Sequence, residues 1–162
     1  MDPAATPPVA PRYLTDTVTQ IETNLDDLSP EIVGATLEKL FAAGALDAFF
    51  TSVQMKKNRP GILLTVLCEA VAIERVADVI FRETTSFGLR LIEKHRLKLD
   101  RRIENVSTAY GEIQVKRGFD AQGNPLQAAP EYESCHAAAV RTGAALREVY
   151  AAAVEACRKE AR

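Results

Sequence analysis

The sequence predicts an α+β fold whose first part follows the ferredoxin-like order β-α-β-β-α-β, followed by a β-hairpin and two helices. Two segments with apolar residues at helical spacing, 30–43 and 72–83, each lie between segments with the pattern of strands. The continuous apolar run 62–68 is typical of a buried central strand. The 162 residues, 47% of them hydrophobic, suffice for one domain or two small ones.

The first predicted unit, residues 17–100, begins with a strand over 18–25. Ser29, Pro30 and Glu31 then favour a helix start, as an N-cap, a first-turn proline and an acid at the positive end of the helix dipole. Gly44 is the expected C-terminal cap. The unit continues with a strand over 46–55, a turn at 58–61, a strand over 62–68, a helix over 72–83 and a strand over 89–99.

The second predicted unit, residues 101–162, is a smaller α+β subdomain. Strands over 103–108 and 110–119 pair as a hairpin, and 120–125 form a loop. Helices follow over 130–140 and 146–157, the latter with an apolar stripe at helical spacing. Residues 1–16, rich in proline and alanine, are expected to form a disordered N-terminal tail or an artificial boundary.

Bulk composition excludes several classes of protein. The net charge of -2 gives no general attraction to nucleic acid or membrane, and no run reaches the roughly 18 apolar residues of a membrane span. The N-terminal residues lack the basic and apolar regions of a signal peptide. The three cysteines are odd in number and widely spaced, so we expect reduced thiols and a cytoplasmic location.

Two short segments, 55–61 and 82–88, combine cations or hydroxyls with a glycine between regular elements. Such loops suit a phosphate or another oxyanion, because cations, hydroxyls and free backbone N–H groups all stabilise it. The alternatives are a solvated hairpin turn and a polar helix C-terminus. The candidate anion-binding side chains are Lys56, Lys57, Asn58, Arg59, Arg82, Thr84 and Thr85.

Asp26 and Asp27 end the first predicted strand just before a helix. Adjacent carboxylates can hold Mg²⁺, which accepts one or two carboxylates together with substrate phosphates. The alternative is that Asp27 only helps to cap the helix that begins at Pro30. Both interpretations remain open at this point.

A basic stripe lies on the last strand of the first unit. Residues 90–102 contain six basic and two acidic residues, so an exposed sheet face here could bind RNA. No aromatic residue interleaves the stripe, which favours a solvated face or a salt-bridged subunit contact. No P-loop, GxGxxG, CxxC, HxxxH or GxSxG pattern occurs, and no catalytic residue is identified.

Six ordered motifs together resemble one family. They are the segments 21–27 with Pro30-Glu31, 40–47, 54–61, 81–85 with Phe87-Gly88, Tyr110-Gly111 before Lys116, and 130–133. They resemble the C-terminal domain of the nickel insertion protein family (LarC) of the nickel-pincer nucleotide pathway, over about residues 17–157. That pathway makes the cofactor of lactate racemase.

The resemblance implies a CTP-dependent nickel chelatase of the lyase class, which inserts Ni²⁺ as substrate metal into a pyridinium bisthiocarboxylate mononucleotide. It implies CTP with Mg²⁺ or Mn²⁺, a homo-oligomer (trimer or hexamer), and an N-terminal half that handles the pincer precursor. This chain is expected to lack that half, so its own activity stays uncertain.

The resemblance also implies roles for individual residues. Asp26 or Asp27, with Glu131 as a further candidate, would hold the metal. Lys56, Lys57, Asn58, Arg59, Arg82, Thr84, Thr85, Arg90 and Lys116 would contact the nucleotide. The alternatives are a non-catalytic small-ligand regulatory module, an RNA-binding domain that uses the basic stripe, and a purely structural assembly domain.

Overall fold

The computed structural model describes residues 11–160, and for residue 160 only the backbone. The chain forms two compact units. One comprises Thr15–Arg96, and the other comprises the described residues of Met1–Leu14 and Leu97–Arg162. The division therefore falls four residues before the predicted boundary at residue 100. Of the predicted tail, residues 1–10 lie outside the described residues, whereas residues 14–16 belong to the first strand.

The first unit is an antiparallel sheet with two helices. Its sheet has the strand order β2-β3-β1-β4, and β3 is antiparallel to both β1 and β2. This is the strand order of the ferredoxin-like plan, so the predicted α+β fold is confirmed. In chain order the elements are β1 (Leu14–Leu25), α1 (Pro30–Ala42), β2 (Ala45–Met55), β3 (Arg59–Cys68), α2 (Ile73–Glu83) and β4 (Arg90–Lys98).

The core of this unit is built from strand and helix positions that point toward each other. The core-facing residues of β1 and β3 alternate along each strand, as expected for a face that packs on a core, although Thr65 on the opposite face of β3 is buried as well. They are Ile21, Thr23 and Leu25 of β1 and Leu64, Val66 and Cys68 of β3. Helix α2 contributes residues one turn apart, which is the spacing of a single buried face. The buried core residues are Ile21, Leu25, Leu40, Ala48, Leu64, Val66, Cys68, Ala72, Val76 and Ile80.

Helix α1 begins and ends where the sequence predicts, with one difference in detail. Ser29 occupies the N-cap position, but its side chain makes no capping hydrogen bond. Its hydroxyl instead donates to Glu31 Oε2 at 2.6 Å, which lowers the pKa of that carboxyl. Gly44 follows the helix with a φ of 104°, a conformation that glycine adopts without the strain of a Cβ atom.

Replacing Gly34 with alanine is expected to stabilise the protein by roughly 0.5–1 kcal/mol. Gly34 lies in the interior of α1, and a Cβ atom there would meet no other atom within 4 Å. The free energy of unfolding in urea measures the effect. Gly44→Ala is the matched control, because its positive φ makes the same substitution destabilising. A destabilised Gly34→Ala variant would contradict this description of α1.

The second unit contains a three-stranded sheet with the order β5-β6-β7 and two helices. The predicted hairpin and both helices are present. The third strand, β7, is an addition, because the sequence predicts a loop that ends at Pro125, a helix that begins at Pro130 and no element between them. The elements are β5 (Asp100–Thr108), β6 (Gly111–Phe119), β7 (Pro125–Pro130), α3 (Tyr132–Thr142) and α4 (Leu146–Glu160).

The sequence does not predict strand β7, because its local residue pattern is not that of a strand. It has a proline at each end and five exposed residues before Pro130, features that sheets tolerate only at an edge. A specific turn sets its pairing with β6. The Asp120 carboxylate accepts hydrogen bonds from the backbone N–H of Gln122 (3.0 Å) and of Asn124 (2.8 Å). Contacts with Asn124 lower the pKa of Asp120.

The second unit has its own core, which joins β5 and β6 to both helices. The three cysteines are buried and none of them is in a disulfide, and burial raises the pKa of Cys68 and of Cys135. Within residues 11–160 no helix is long and apolar enough to cross a membrane. The core residues of this unit are Val106, Ile113, Val115, Cys135, Ala138, Ala139, Val149, Ala153 and Cys157.

Candidate functional site

Three segments of the first unit meet at the carboxyl end of β1. Arg59 Nη1 lies 3.3 Å from Asp26 Oδ2, and the two form an ion pair. The Thr85 hydroxyl donates a hydrogen bond to Asp27 Oδ1. Asp26 and Asp27 are therefore linked both to the start of β3 and to the loop after α2. We call Asp26, Asp27, Arg59 and Thr85 the carboxylate cluster.

The sheet explains why Arg59 reaches Asp26. Leu25, the last residue of β1, is paired with Ile62 near the start of β3. The strands come close here because residue 61 is glycine. A Cβ atom on Gly61 would lie 2.8 Å from the Leu25 carbonyl oxygen and 2.7 Å from Met55 Sδ. Glycine thus permits an approach that any larger residue would prevent.

The turn between β2 and β3 lies earlier than predicted. It is a short 3₁₀ turn over Lys56–Asn58, whereas the sequence predicts the turn at 58–61; residues 59–61 open β3 instead. Lys57 (φ 60°) and Asn58 (φ 56°) both adopt the left-handed conformation, which is uncommon outside glycine. Two successive left-handed residues reverse the chain quickly enough for β3 to start at Arg59.

The cations of this turn are free to meet a ligand. Lys56, Lys57 and Asn58 are exposed. Within residues 11–160, neither lysine has a carboxylate within ion-pair distance. The ion pair of Arg59 leaves 57% of its side chain exposed. An anion that approaches the carboxylate cluster would therefore meet two unpaired ammonium groups and one exposed guanidinium.

The loop after α2 is held by hydroxyl groups. Thr84 Oγ1 donates to the Ile80 carbonyl (2.6 Å), which ends the helix, and accepts a hydrogen bond from the Ser86 N–H (3.2 Å). Ser86 Oγ lies 2.6 Å from Thr23 Oγ1 on β1 and donates to the Gly88 carbonyl at 2.9 Å. Thr84 therefore serves the loop's own structure, while Thr85 faces the carboxylate cluster.

The two further arginine candidates in this unit have partners of their own. Arg82 forms an ion pair with Asp78 one turn earlier on α2 (2.8 Å), and this hydrogen bond raises the pKa of Arg82. Arg90 donates to Asn24 Oδ1 (2.7 Å) and lies 3.4 Å from Glu22 Oε2. Arg90 thus shares a sheet face with the alternate, outward-facing residues of β1.

Lys116 and Glu131, the remaining candidates, belong to the second unit. They form an ion pair with each other, with 2.7 Å between Lys116 Nζ and Glu131 Oε1. Strand β6 carries Lys116, and Glu131 is the N-cap residue of α3. Each of the two therefore has a charged partner within the second unit.

The basic stripe is largely neutralised by neighbouring carboxylates. Arg96 makes two hydrogen bonds to Asp16 (2.8 and 2.7 Å), which raise the pKa of Arg96. Arg90 pairs with Glu22, and Arg102 pairs with Asp100 at 2.9 Å. At least three of its six basic residues are therefore paired, and the surface presents less positive charge to RNA than the sequence suggests.

Metal binding at the carboxylate cluster would need ligands in addition to the side chains of residues 11–160. Among residues 11–160, no group of three or more His, Cys, Asp or Glu side chains is arranged to hold a metal ion. Asp26 and Asp27 supply two carboxylates. That donor set fits Mg²⁺ or Mn²⁺ when nucleotide phosphates complete the coordination.

Comparison with known proteins identifies the family. The family model described as "Nickel insertion protein" matches residues 8–150. This chain belongs to the nickel insertion protein family. The putative nickel insertion protein of Pelobacter propionicus is 45% identical over 136 residues, which cover 84% of this chain and 34% of that protein. The pyridinium-3,5-bisthiocarboxylic acid mononucleotide nickel insertion protein of Acetivibrio thermocellus is 43% identical, with 83% and 33% covered.

Several solved structures are also similar to this chain. One is the apo form of LarC2, described as the C-terminal domain of a cyclometallase involved in the synthesis of the NPN cofactor of lactate racemase. It is 38% identical with a TM-score of 0.82, covering 90% of this chain and 99% of that chain. Protein MK0293 from Methanopyrus kandleri is 27% identical with a TM-score of 0.65, covering 88% and 89%. This chain spans about a third of the length of the curated relatives it matches.

Several residues that shape the candidate site had no assigned role in the sequence analysis. Glu22 and Asn24 hold Arg90, and Thr23 holds the loop after α2 through Ser86. The available signal was the alternation of β1, which sends Glu22 and Asn24 to one face and Thr23 to the other. The loop partners themselves lie more than 60 residues away in sequence.

Proposed function

We propose that this chain is the nucleotide- and metal-binding part of a nickel insertase. In this proposal the intact protein loads Ni²⁺, as substrate, into the pincer mononucleotide, and acts as a CTP-dependent nickel chelatase of the lyase class. Family membership supports the nickel chemistry. The description of the LarC2 structure, which names a cyclometallase for the NPN cofactor, supports the assignment of this part of the molecule.

The observation that carries the nucleotide site is the carboxylate cluster with its adjoining cations. Lys56, Lys57 and Arg59 would neutralise the phosphates of CTP, with Arg59 offering two parallel N–H donors. Asp26 and Asp27 would hold Mg²⁺ or Mn²⁺ against the same phosphates. Asn58 is close enough in sequence to reach the sugar or base.

The ion pair between Arg59 and Asp26 suits this role because it is easily rearranged. At 3.3 Å and with half of the arginine exposed, it contributes little to stability. A metal–triphosphate could therefore separate the pair, taking the carboxylate as metal ligand and the guanidinium as phosphate donor. Asp26 would then bind the metal cation, and Arg59 would bind the negatively charged phosphates.

The remaining partners are proposed from the resemblance to the family. The pincer precursor would bind mainly through the N-terminal half of the intact protein, and this part would assemble as a homo-oligomer, a trimer or hexamer. Arg90 would enter the site only if ligand binding or assembly separates it from Glu22 and Asn24. Lys116 and Glu131 of the second unit remain candidate ligand contacts, and they would first have to separate from each other. A regulatory small-ligand module would use the same cluster without turnover, and the neutralised basic stripe gives RNA binding little support.

Calorimetric titration of this chain with CTP in Mg²⁺ is expected to give saturable binding with one site per chain, tighter for CTP than for ATP. EDTA should abolish it, because two carboxylates and a triphosphate without the metal repel each other. The same titration with ATP is the specificity control. Absence of binding by both nucleotides would contradict the assignment of the nucleotide site to this chain.

A further inference from the structure

Phe87 is the most exposed large apolar side chain among residues 11–160. Its exposure is complete, at 103% of the reference value, whereas Phe41, Phe49 and Phe81 lie between 44% and 48%. A phenylalanine that contacts nothing gains none of the free energy that burial would provide. Single exposed apolar residues are common, so exposure alone does not indicate a binding role, and the groups around Phe87 must be considered.

The loop that carries Phe87 is held in place on both sides. Ser86 bonds to Thr23 on β1 and to the Gly88 carbonyl, and the Gly88 carbonyl also accepts from Thr23 at 3.3 Å. These bonds fix the backbone immediately before and after Phe87. The exposed ring is therefore presented to solvent by an ordered loop.

The position of the loop connects Phe87 to the carboxylate cluster. Phe87 is two residues from Thr85, which bonds to Asp27, so their Cα atoms are at most about 7 Å apart. A nucleotide extends from its phosphates through the ribose to the base. With the phosphates at the carboxylate cluster, the base would lie within reach of a neighbouring aromatic ring.

We propose that Phe87 stacks on the base of the nucleotide whose phosphates bind at the carboxylate cluster. This inference rests on the proposed function, and it adds a residue that distinguishes a nucleotide from an inorganic polyphosphate. Stacking depends on the π face that every base possesses, so it contributes to affinity without selecting one base. The choice of cytosine is made by polar groups elsewhere in the site.

Phe87→Ala is expected to weaken CTP·Mg²⁺ binding roughly 5- to 150-fold. The affinity for ATP should fall by the same factor, while the affinity for inorganic tripolyphosphate·Mg²⁺ should stay unchanged. Calorimetric titration of the full 162-residue chain with the three ligands measures all of these. Phe41→Ala is the matched control, because it removes the same kind of ring from a partly exposed position. Phe41 lies about 16 Å along α1 from the start of the helix at Pro30, which is the end of α1 that follows Asp27 in the chain.

A fluorescence measurement tests the stacking directly. The chain contains no tryptophan, so Phe87→Trp introduces a single indole at the proposed contact. CTP·Mg²⁺ should quench its emission saturably, with the dissociation constant found by calorimetry, and tripolyphosphate·Mg²⁺ should not. Phe41→Trp should respond to neither ligand.

The outcomes separate this inference from the proposed function. If the wild-type chain binds CTP and Phe87→Ala binds it with the same affinity, the stacking role alone is overturned. Equal losses for CTP and tripolyphosphate would also overturn it, because Phe87 would then act on the phosphate site. A changed oligomeric state of Phe87→Ala in sedimentation, with unchanged affinity, would make Phe87 an assembly contact. A wild-type chain that binds neither ligand would overturn the proposed function and this inference together.

Discussion

Replacing Arg59 with alanine is expected to weaken the binding of CTP·Mg²⁺ by roughly 10- to 150-fold, the effect of losing hydrogen bonds between a guanidinium and a charged oxygen. Arg59 is the cation that already contacts the carboxylate cluster, through Asp26. Its loss would remove a phosphate donor and leave the Asp26 carboxylate without its neutralising partner. Calorimetric titration of the variant measures the change.

Two further variants separate geometry from charge. Arg59→Lys keeps the charge but loses the planar fork, so it should fall between the wild type and Arg59→Ala. Arg102→Ala is the matched control, because Arg102 is equally exposed and pairs with Asp100 in the second unit. Both alanine variants should unfold within about 1 kcal/mol of the wild type, as expected for exposed ion pairs. Wild-type affinity in Arg59→Ala would remove Arg59 from the site.

The order of elements in the first unit was predictable because it follows from periodicity along the chain. Helix α2 buries Val76 and Ile80 one turn apart, and β3 contains an apolar run that only Thr65 interrupts, next to a turn. Strand β7 was not predictable in this way. Its residues are exposed, and its position depends on the Asp120 turn and on pairing with β6, which the local pattern does not encode.

The candidate site was predictable in its residue types and not in its geometry. Carboxylates, cations and hydroxyls beside glycine indicated an anion site with a metal, but each contact joins distant parts of the chain. Arg59 and Asp26 are 33 residues apart, and Thr85 and Asp27 are 58 apart. The β2-β3-β1-β4 strand order brings them together at one end of the central strands β1 and β3.

The same reasoning explains why the other arginines could not be ranked from the sequence. Arg82, Arg90 and Arg59 are alike as residues, yet each pairs with a different element. Arg82 is held by Asp78 on its own helix, and Arg90 by Glu22 and Asn24 across the sheet. Of the three, only Arg59 contacts an aspartate of the 26–27 pair. Its substitution is therefore the one expected to affect the carboxylate cluster directly.

Replacing Gly61 with alanine is expected to destabilise the protein by roughly 1–3 kcal/mol, the cost of inserting an atom into a packed site. The new Cβ atom would lie 2.7 Å from Met55 Sδ and 2.8 Å from the Leu25 carbonyl oxygen. The methionine side chain can move aside, but the carbonyl belongs to the backbone that leads directly into Asp26. The end of β1 must therefore shift, and the affinity for CTP·Mg²⁺ should fall together with stability.

The joint loss is what distinguishes this variant from an ordinary packing defect. Urea unfolding gives the change in stability, and calorimetry at a temperature where the variant remains folded gives the change in affinity. Gly34→Ala provides the control, since the same added methyl group meets nothing within 4 Å there. Reduced stability with wild-type affinity would mean that Asp26 does not depend on the Gly61 contact. Unchanged stability would contradict the prediction. It would mean that the end of β1 can move away from residue 61 at no cost in free energy, so that the close approach of Leu25 and Gly61 does not require glycine.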